Sequence, residues 1–290
     1  MVSGQAPWPL RLPEGVIHHR FNGLEPFQML WRGEHQRWAQ MVQSGLKRLA
    51  LAGLCDPLSD AVAVPEQVQV RNANCRETIE VDGVVSRQRA QLLVLRALME
   101  AGELPPLAQM RLYLSEAVTG YADYLRQRCE QLRCSEYLPE LDHPLRGVVP
   151  HRDVRRLTLP PASMQCLICN EVLEHVEELE PALQSLAGCL TLGGYLLATV
   201  PLAYGQQETI VKALWRGDGQ EPELLMEPEW HGDPVKSDQG SLVYRIPGWD
   251  LLDQLRAAGF RQAELHAVSS DRYGVLGAEL PYVFVVVAQR

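Results

Sequence analysis

The rhythm of apolar positions changes near residue 110. From Pro26 to Leu54, the residues Phe27, Leu30, Trp31, Trp38, Met41, Val42, Leu46 and Leu49 recur at three- and four-residue steps. That spacing predicts an amphipathic helix, or a helix pair broken near Gly33 or Gly45. Residues 1 to about 24 are rich in Pro and Gly and read as an irregular arm, and residues 56–86 are polar and turn-rich, with a small hairpin expected at Val81–Gly83. SRQRAQLLVLRALMEAG predicts a helix capped by Ser86 and followed by Gly102. The prolines of ELPPLAQ then mark a linker. Further on, MRLYLSEA, RCSEYLP, SMQCLICNEV, GGYLLATVPL, QAELHAVSS and LPYVFVVVAQR read as strands, and VVPHRDVRRL as a strand end with a loop. VTGYADYLRQRCEQL, EELEPALQSLAGCL and GWDLLDQLRAAGF read as helices between them. This alternation predicts an α/β fold, a parallel sheet with helices on both faces. We expect a mainly helical N-terminal domain over residues 1–105 and an α/β domain over 106–290, interrupted by a polar insertion at about 204–247.

Composition narrows the partners. The 290 residues are 46% hydrophobic and 22% charged, an ordinary globular balance with room for a real core. A net charge of −9 argues against a duplex nucleic-acid binder, which needs clustered basic surface. The densest basic group, Arg152, Arg155 and Arg156, reads as a solvated face. No apolar run is long enough for a membrane helix, and MVSGQAPWPLRLPEG lacks the pattern of a secretory signal. The seven cysteines lie mostly in apolar patterns and read as reduced thiols of a cytoplasmic protein. Cys166 and Cys169 form a CxxC, but strand alternation sends them to opposite faces, so no zinc is expected there.

The predicted strands end in acids: Glu116, Glu136, a position near Asp153, then Asn170 with Glu171. In an open α/β sheet the ligand crevice lies beyond the carboxyl ends of the strands, and an acid about 20 residues after the first strand is the place where ribose hydroxyls are held. A carboxylate suits that task because it accepts two hydrogen bonds. Any one of these acids is more simply a surface carboxylate, but four successive strands ending this way point to a shared cleft.

SMQCLICNEVLEHVEELEPALQSLAGCLTLGGYLLATVP resembles the central stretch of class I S-adenosylmethionine-dependent methyltransferases of the type-11-like group. Leu173, Glu174 and His175 match its LEH. Leu192, Gly193 and Gly194 match its leucine-x-proline-glycine-glycine region, with Thr191 and Leu192 in place of the lysine and proline. GWDLLDQLRAAGF resembles the late helix of that family. The resemblance covers residues 110–290 and implies a Rossmann-like sheet of seven strands with the last antiparallel. It also implies S-adenosyl-L-methionine as cofactor. One departure stands out: where the family has a glycine-rich loop, this chain reads EAVTGYADY, keeping Glu116 and Gly120 but filling the loop with Ala117, Val118 and Thr119. Either the loop takes another path and still binds, with the Thr119 hydroxyl helping, or the site has degenerated.

By that resemblance Glu116 and Gly120 lie near the methionine part of the cofactor and Glu136 takes the ribose. Tyr137 packs on the adenine with Asp153 and Val154 at its edge, and Asn170 and Glu171 border the sulfonium. His175, read as lying on the helix after the fourth strand, and His231, in PEWHGDP of the insertion, are the candidate general bases; the plainer readings are a structural imidazole and a turn residue. Trp249 either closes the same region or belongs to the core. NCRETIEVDGVVSRQRA resembles an element of this methyltransferase type that can carry paired cysteines; Cys75 stands alone, so no metal is expected, and Arg76, Arg87 and Arg89 read as solvated helix arginines rather than anion binders. The expected function is methyl transfer to a small-molecule or glycan-like acceptor by a protein without membrane partners, for which a homodimer is allowed. The alternative is a non-catalytic binding or partner module on the same fold. A nicotinamide-dependent oxidoreductase also expects an acid at Glu136, but lacks its GxGxxG here.

Overall fold

The computed structural model describes residues 10–217, 220–236 and 240–290; residues 1–9 of the expected arm lie outside them. Seven strands form the central sheet: β1 (Ile17–Phe21), β2 (Leu112–Leu114), β3 (Leu132–Cys134), β4 (Met164–Asn170), β5 (Leu190–Thr199), β6 (Gln262–Ser269) and β7 (Val283–Gln289). Their order is β1-β6-β7-β5-β4-β2-β3. β3, β2, β4 and β5 run parallel to one another, while β7 is antiparallel to both β5 and β6. The seven-stranded sheet with an antiparallel last strand is therefore present, with one exchange of members. VVPHRDVRRL contributes only the isolated bridges Glu136–His151 and Arg146–Val149 and a 3₁₀ turn at Val154–Arg156, being too polar for a buried parallel strand. The seventh place is taken at the opposite edge by β1, which pairs antiparallel with β6.

Strand alternation sorts the side chains into two cores. Leu112, Leu114, Cys166, Ile168, Tyr195, Leu197, Val285 and Val287 face α2 (Ser86–Glu100) and α3 (Gly120–Arg126). Tyr113, Leu167, Cys169, Leu196, Ala198, Val286 and Ala288 face α1 (Leu24–Ala52), α4 (Leu179–Cys189) and α5 (Leu251–Ala257). Cys166 and Cys169 thus point to opposite faces, as their spacing requires. Residues on both sides of the expected boundary near 105 share one core, since Leu92–Leu95 of α2 pack with β2 and β7.

α1 is a single helix unbroken over 29 residues, the first of the two alternatives; Gly45, one of the two places weighed for a break, is buried against the Leu276 side chain. The hairpin at Val81–Gly83 forms between Ile79–Val81 and Val84–Val85. Ser86 does not cap α2. Its Oγ donates to the Leu276 carbonyl (2.8 Å) and accepts from the Leu276 amide (2.9 Å), while Gln88 Oε1 accepts from the Val85 amide (2.9 Å). Trp249 is core, with its indole Nε1 donating to the Tyr204 carbonyl. Among the described residues no helix is long and apolar enough to cross a membrane.

β1 is tied to β6 by an imidazole pair, His18 Nε2 to His266 Nδ1 at 3.1 Å. Burial, then the neighbouring His266, Arg20 and His19, push the His18 pKa down to about 3, and burial lowers that of His266. An imidazole of depressed pKa binds its proton more readily in the unfolded chain, so its share of stability is whole above pH 6.5 and lost toward pH 3. We expect His18→Asn to flatten the acid fall in stability by up to about 1.4 kcal/mol per pH unit. Urea midpoints of wild type and variant between pH 7 and pH 4 measure it, and parallel curves would refute it.

Candidate functional site

An open cleft lies at the carboxyl ends of β2, β3 and β4. Its walls include Glu116, Glu136, Tyr137, Asp153, Val154, Asn170, Glu171 and His175. Residues Gly232–Val235 and Ser241 of the insertion form the facing wall. Of the expected site residues, Gly120 and His231 do not line this cleft.

The filled loop after β2 takes a path of its own. Glu136 Oε1 accepts from the amides of Ala117 (2.6 Å) and Val118 (3.1 Å), so the loop backbone folds over the acid expected to hold ribose. Burial raises the Glu136 pKa against the pull of those amides. Its other oxygen has no hydrogen bond to the described residues. Thr119 is the N-cap of α3: its Oγ1 accepts from the Ala122 amide (3.2 Å) and donates to Glu116 Oε2 (2.7 Å). Gly120 is needed elsewhere. A Cβ on it would come within 2.5 Å of the Gly83 Cα, so the glycine admits the hairpin.

Asn170 ends β4 in a buried network. Its Oδ1 accepts from Gln91 Nε2 (2.8 Å) and its Nδ2 donates to Glu116 Oε1 (3.1 Å), while Tyr121 OH donates to Gln91 Oε1 (2.9 Å). Asp153 is held by Arg155, which opposes the effect of burial and lowers its pKa. Tyr137 lies on the cleft wall with Lys236 over its ring at 5.5 Å.

Of the N-terminal arginines expected in solvent, Arg89 is buried and Arg76 and Arg87 are partly buried. Arg76 pairs with Glu171 and Glu77. Arg89 donates to four carbonyls, those of Tyr273, Val84, Ile79 and Gly274, between 2.6 and 2.9 Å. Arg87 bonds both Glu77 oxygens through Nε (3.1 and 2.9 Å), and its buried Nη1, on a residue lining the cleft, has no hydrogen-bond partner among the described residues. Arg155 is likewise enclosed by Asp153 and Glu177, whereas Arg156 is exposed.

β4 does not run into a helix at His175. Leu173–His175 form a turn, α4 starting only at Leu179, and the strand Ser241–Leu242 with Tyr244 and Arg245 closes over it. His175 Nδ1 bonds the Leu242 carbonyl at 2.8 Å. His231, on the two-residue strand Trp230–His231, stands behind the cleft wall with its ring 5.1 Å from that of His175. Burial lowers the His175 pKa and raises that of Glu174, which lies between the two rings. Glu174 belongs to the LEH motif but was assigned no role from sequence; nothing in the pattern shows that the insertion brings His231 to it.

Residues 118–198 match a family described as a methyltransferase domain. Solved structures are also similar to the chain. An S-adenosylmethionine-dependent methyltransferase from Mesorhizobium loti has 14% identity, 65% coverage of this chain and 94% of that one, and a TM-score of 0.39. The 1,6-didemethyltoxoflavin-N1-methyltransferase of Burkholderia thailandensis has 14% identity, 71% and 78% coverage, and a TM-score of 0.39. The [4+2]-cyclase SpnF has 16% identity, 86% and 92% coverage, and a TM-score of 0.37. No curated protein matches the chain significantly.

Gly120→Ala separates packing from binding. We expect it to lower stability by about 1–3 kcal/mol, through a methyl driven into the hairpin. Thermal unfolding reads the loss, and a variant as stable as wild type would contradict the close approach.

Proposed function

We propose that the methyltransferase domain matched over residues 118–198 binds S-adenosyl-L-methionine in the cleft beyond β2, β3 and β4, and that the protein transfers a methyl group to a small-molecule acceptor. The observation that carries this reading is the convergence, in one cleft, of Glu116, Glu136, Tyr137, Asp153, Val154, Asn170 and Glu171, residues separated by up to 55 positions in the chain (171 − 116).

The residues fit the group. Arg87, with a buried and unpartnered Nη1, offers a cation for the carboxylate end, and Glu116 an acceptor for the amine. The free Glu136 oxygen serves the ribose, and Tyr137 with Val154 supplies apolar surface for the adenine. Asn170 and Glu171 border the sulfonium end. When bound, the cofactor supplies an electrophilic methyl group. The chain's part is alignment, since in-line displacement depends on holding the reactants in register. The acceptor side is then the stretch between His175, Val176 and the insertion at Gly232 and Asp233. A glycan-like one remains within this proposal.

The filled loop favours the second reading, a non-catalytic module, to the extent that Ala117 and Val118 occupy one oxygen of Glu136. Calorimetric titration with S-adenosylmethionine and S-adenosylhomocysteine separates the two. We expect saturable binding by wild type and about tenfold weaker binding by Glu136→Gln, whose amide oxygen can still hold the loop but lacks the charge. Since burial raises the Glu136 pKa, affinity should also fall as acid protonates it. Well-folded wild type that binds neither compound would leave the module reading.

A further inference from the structure

Glu174 has no side-chain exposure, and neither of its carboxylate oxygens has a hydrogen-bond partner among the described residues. An ionised carboxylate left this way is strongly destabilising unless a positive charge meets it. Two imidazoles face it, His175 Nε2 at 3.7 Å and His231 Nδ1 at 3.9 Å from Oε1. The far nitrogen of each ring has an acceptor: the Leu242 carbonyl at 2.8 Å for His175 Nδ1, and Glu229 Oε1 at 3.0 Å for His231 Nε2. Those acceptors place the ring protons outward, so both inner nitrogens present lone pairs.

Three lone-pair donors thus converge, with their ligand atoms all within 4.8 Å of one another. A proton on Glu174 would find no acceptor at hydrogen-bond distance among these three, because 3.7 and 3.9 Å are too long. A single water could donate to only two of them. A divalent cation satisfies all of them at once.

We propose that Glu174, His175 Nε2 and His231 Nδ1 are the ligands of one divalent transition-metal ion of the zinc, iron(II), cobalt(II) and manganese(II) class. Two imidazoles with one carboxylate select this class over calcium or magnesium, which prefer oxygen. Bonds of about 2.0–2.2 Å bring neighbouring ligand atoms to roughly 3–3.5 Å, so binding shortens the two Glu174–imidazole distances by under about an ångström and a pair as far apart as 4.8 Å by roughly 1.3–1.8 Å. The surroundings have the form of a metal site's outer layer: a carbonyl and a carboxylate orient the rings, and Lys212 in turn pairs with Glu229. Of the three ligands, His175 lines the cleft, while Glu174 and His231 stand behind its wall. The two histidines are therefore assigned as ligands and not as free bases. Only the consequence rests on the methyltransferase reading: there the ion would hold and acidify an acceptor hydroxyl.

Metal binding is read without cofactor, so its failure and the failure of that reading are distinguishable. Chelator-stripped full-length protein is titrated with cobalt(II), manganese(II) and zinc, with stoichiometry by elemental analysis. We expect one ion per chain, a cobalt spectrum of nitrogen and oxygen ligation without intense sulfur-to-cobalt bands, and a rise in melting temperature. Glu174→Gln and His231→Ala should each weaken binding by a hundredfold or more, and Glu229→Gln by about tenfold. Glu174→Gln should melt no lower than stripped wild type, because it removes a buried charge, so its loss of binding is not loss of folding. No ion bound by wild type, or equal stoichiometry in the folded Glu174→Gln variant, would overturn the proposal.

Discussion

The ion pair between Arg76 and Glu171 joins the N-terminal segment to the carboxyl edge of the sheet, and the shape of the cleft depends on it. Glu171 follows the last residue of β4 with a positive φ of 49°, the left-handed region that costs a non-glycine residue on the order of 1 kcal/mol. Its amide donates to the Thr199 carbonyl at 2.8 Å, and Arg76 Nη1 donates to its Oε2 at 3.0 Å. Burial works against the charge, but Arg76 and then Arg87 outweigh it and hold the pKa down to about 2. With the backbone turned there, residues 172–175 leave the strand direction and carry Glu174 and His175 inward. Removing either partner would strand the other charge in a mostly buried place, a loss of about 3–5 kcal/mol.

A sheet edge that gathers several carboxylates must neutralise each of them, and every solution here is different. Glu136 takes two backbone amides, Glu116 takes Asn170 and Thr119, and Asp153 takes Arg155. Because these partners, Asn170 at the end of β4 apart, come from the segments that follow the strands, the acids also fix those segments. Glu174 is the exception, met only by two imidazoles beyond hydrogen-bond reach. An acid left unsatisfied among so many satisfied ones marks a place where something else completes the structure.

The parallel part of the sheet was legible because apolar runs such as LICN and LLATV are dense, and the acids after them stand at the expected edge. β1 was not, since IHHRF is mostly polar and is held by pairing to a strand some 250 positions later. The fate of the arginines was hidden for a related reason. Arg76 meets Glu171 across 95 positions, and Arg89 meets only backbone carbonyls, which leave no mark in a sequence. The helix expected to carry His175 failed because Arg245, from the insertion, caps the carbonyls of Leu173, Val176 and Glu177 and holds that stretch out of helical register.

Val118 changes how the cleft can work. A glycine-rich loop lets a ligand approach bare backbone, whereas here the amides of Ala117 and Val118 are spent on Glu136. The carboxylate therefore serves the loop through one oxygen and leaves the other for a ligand. That arrangement couples the two: a ligand drawing on Glu136 also loads the hydrogen bonds that keep the loop closed, and a loop that opens releases a buried charge. Gly120 sits at the end of this loop and is fixed by Gly83, so the loop can adjust only upstream of it, between Glu116 and Thr119. Selectivity for what enters the Glu116 end of the cleft then rests on four residues and the Arg87 guanidinium beside them.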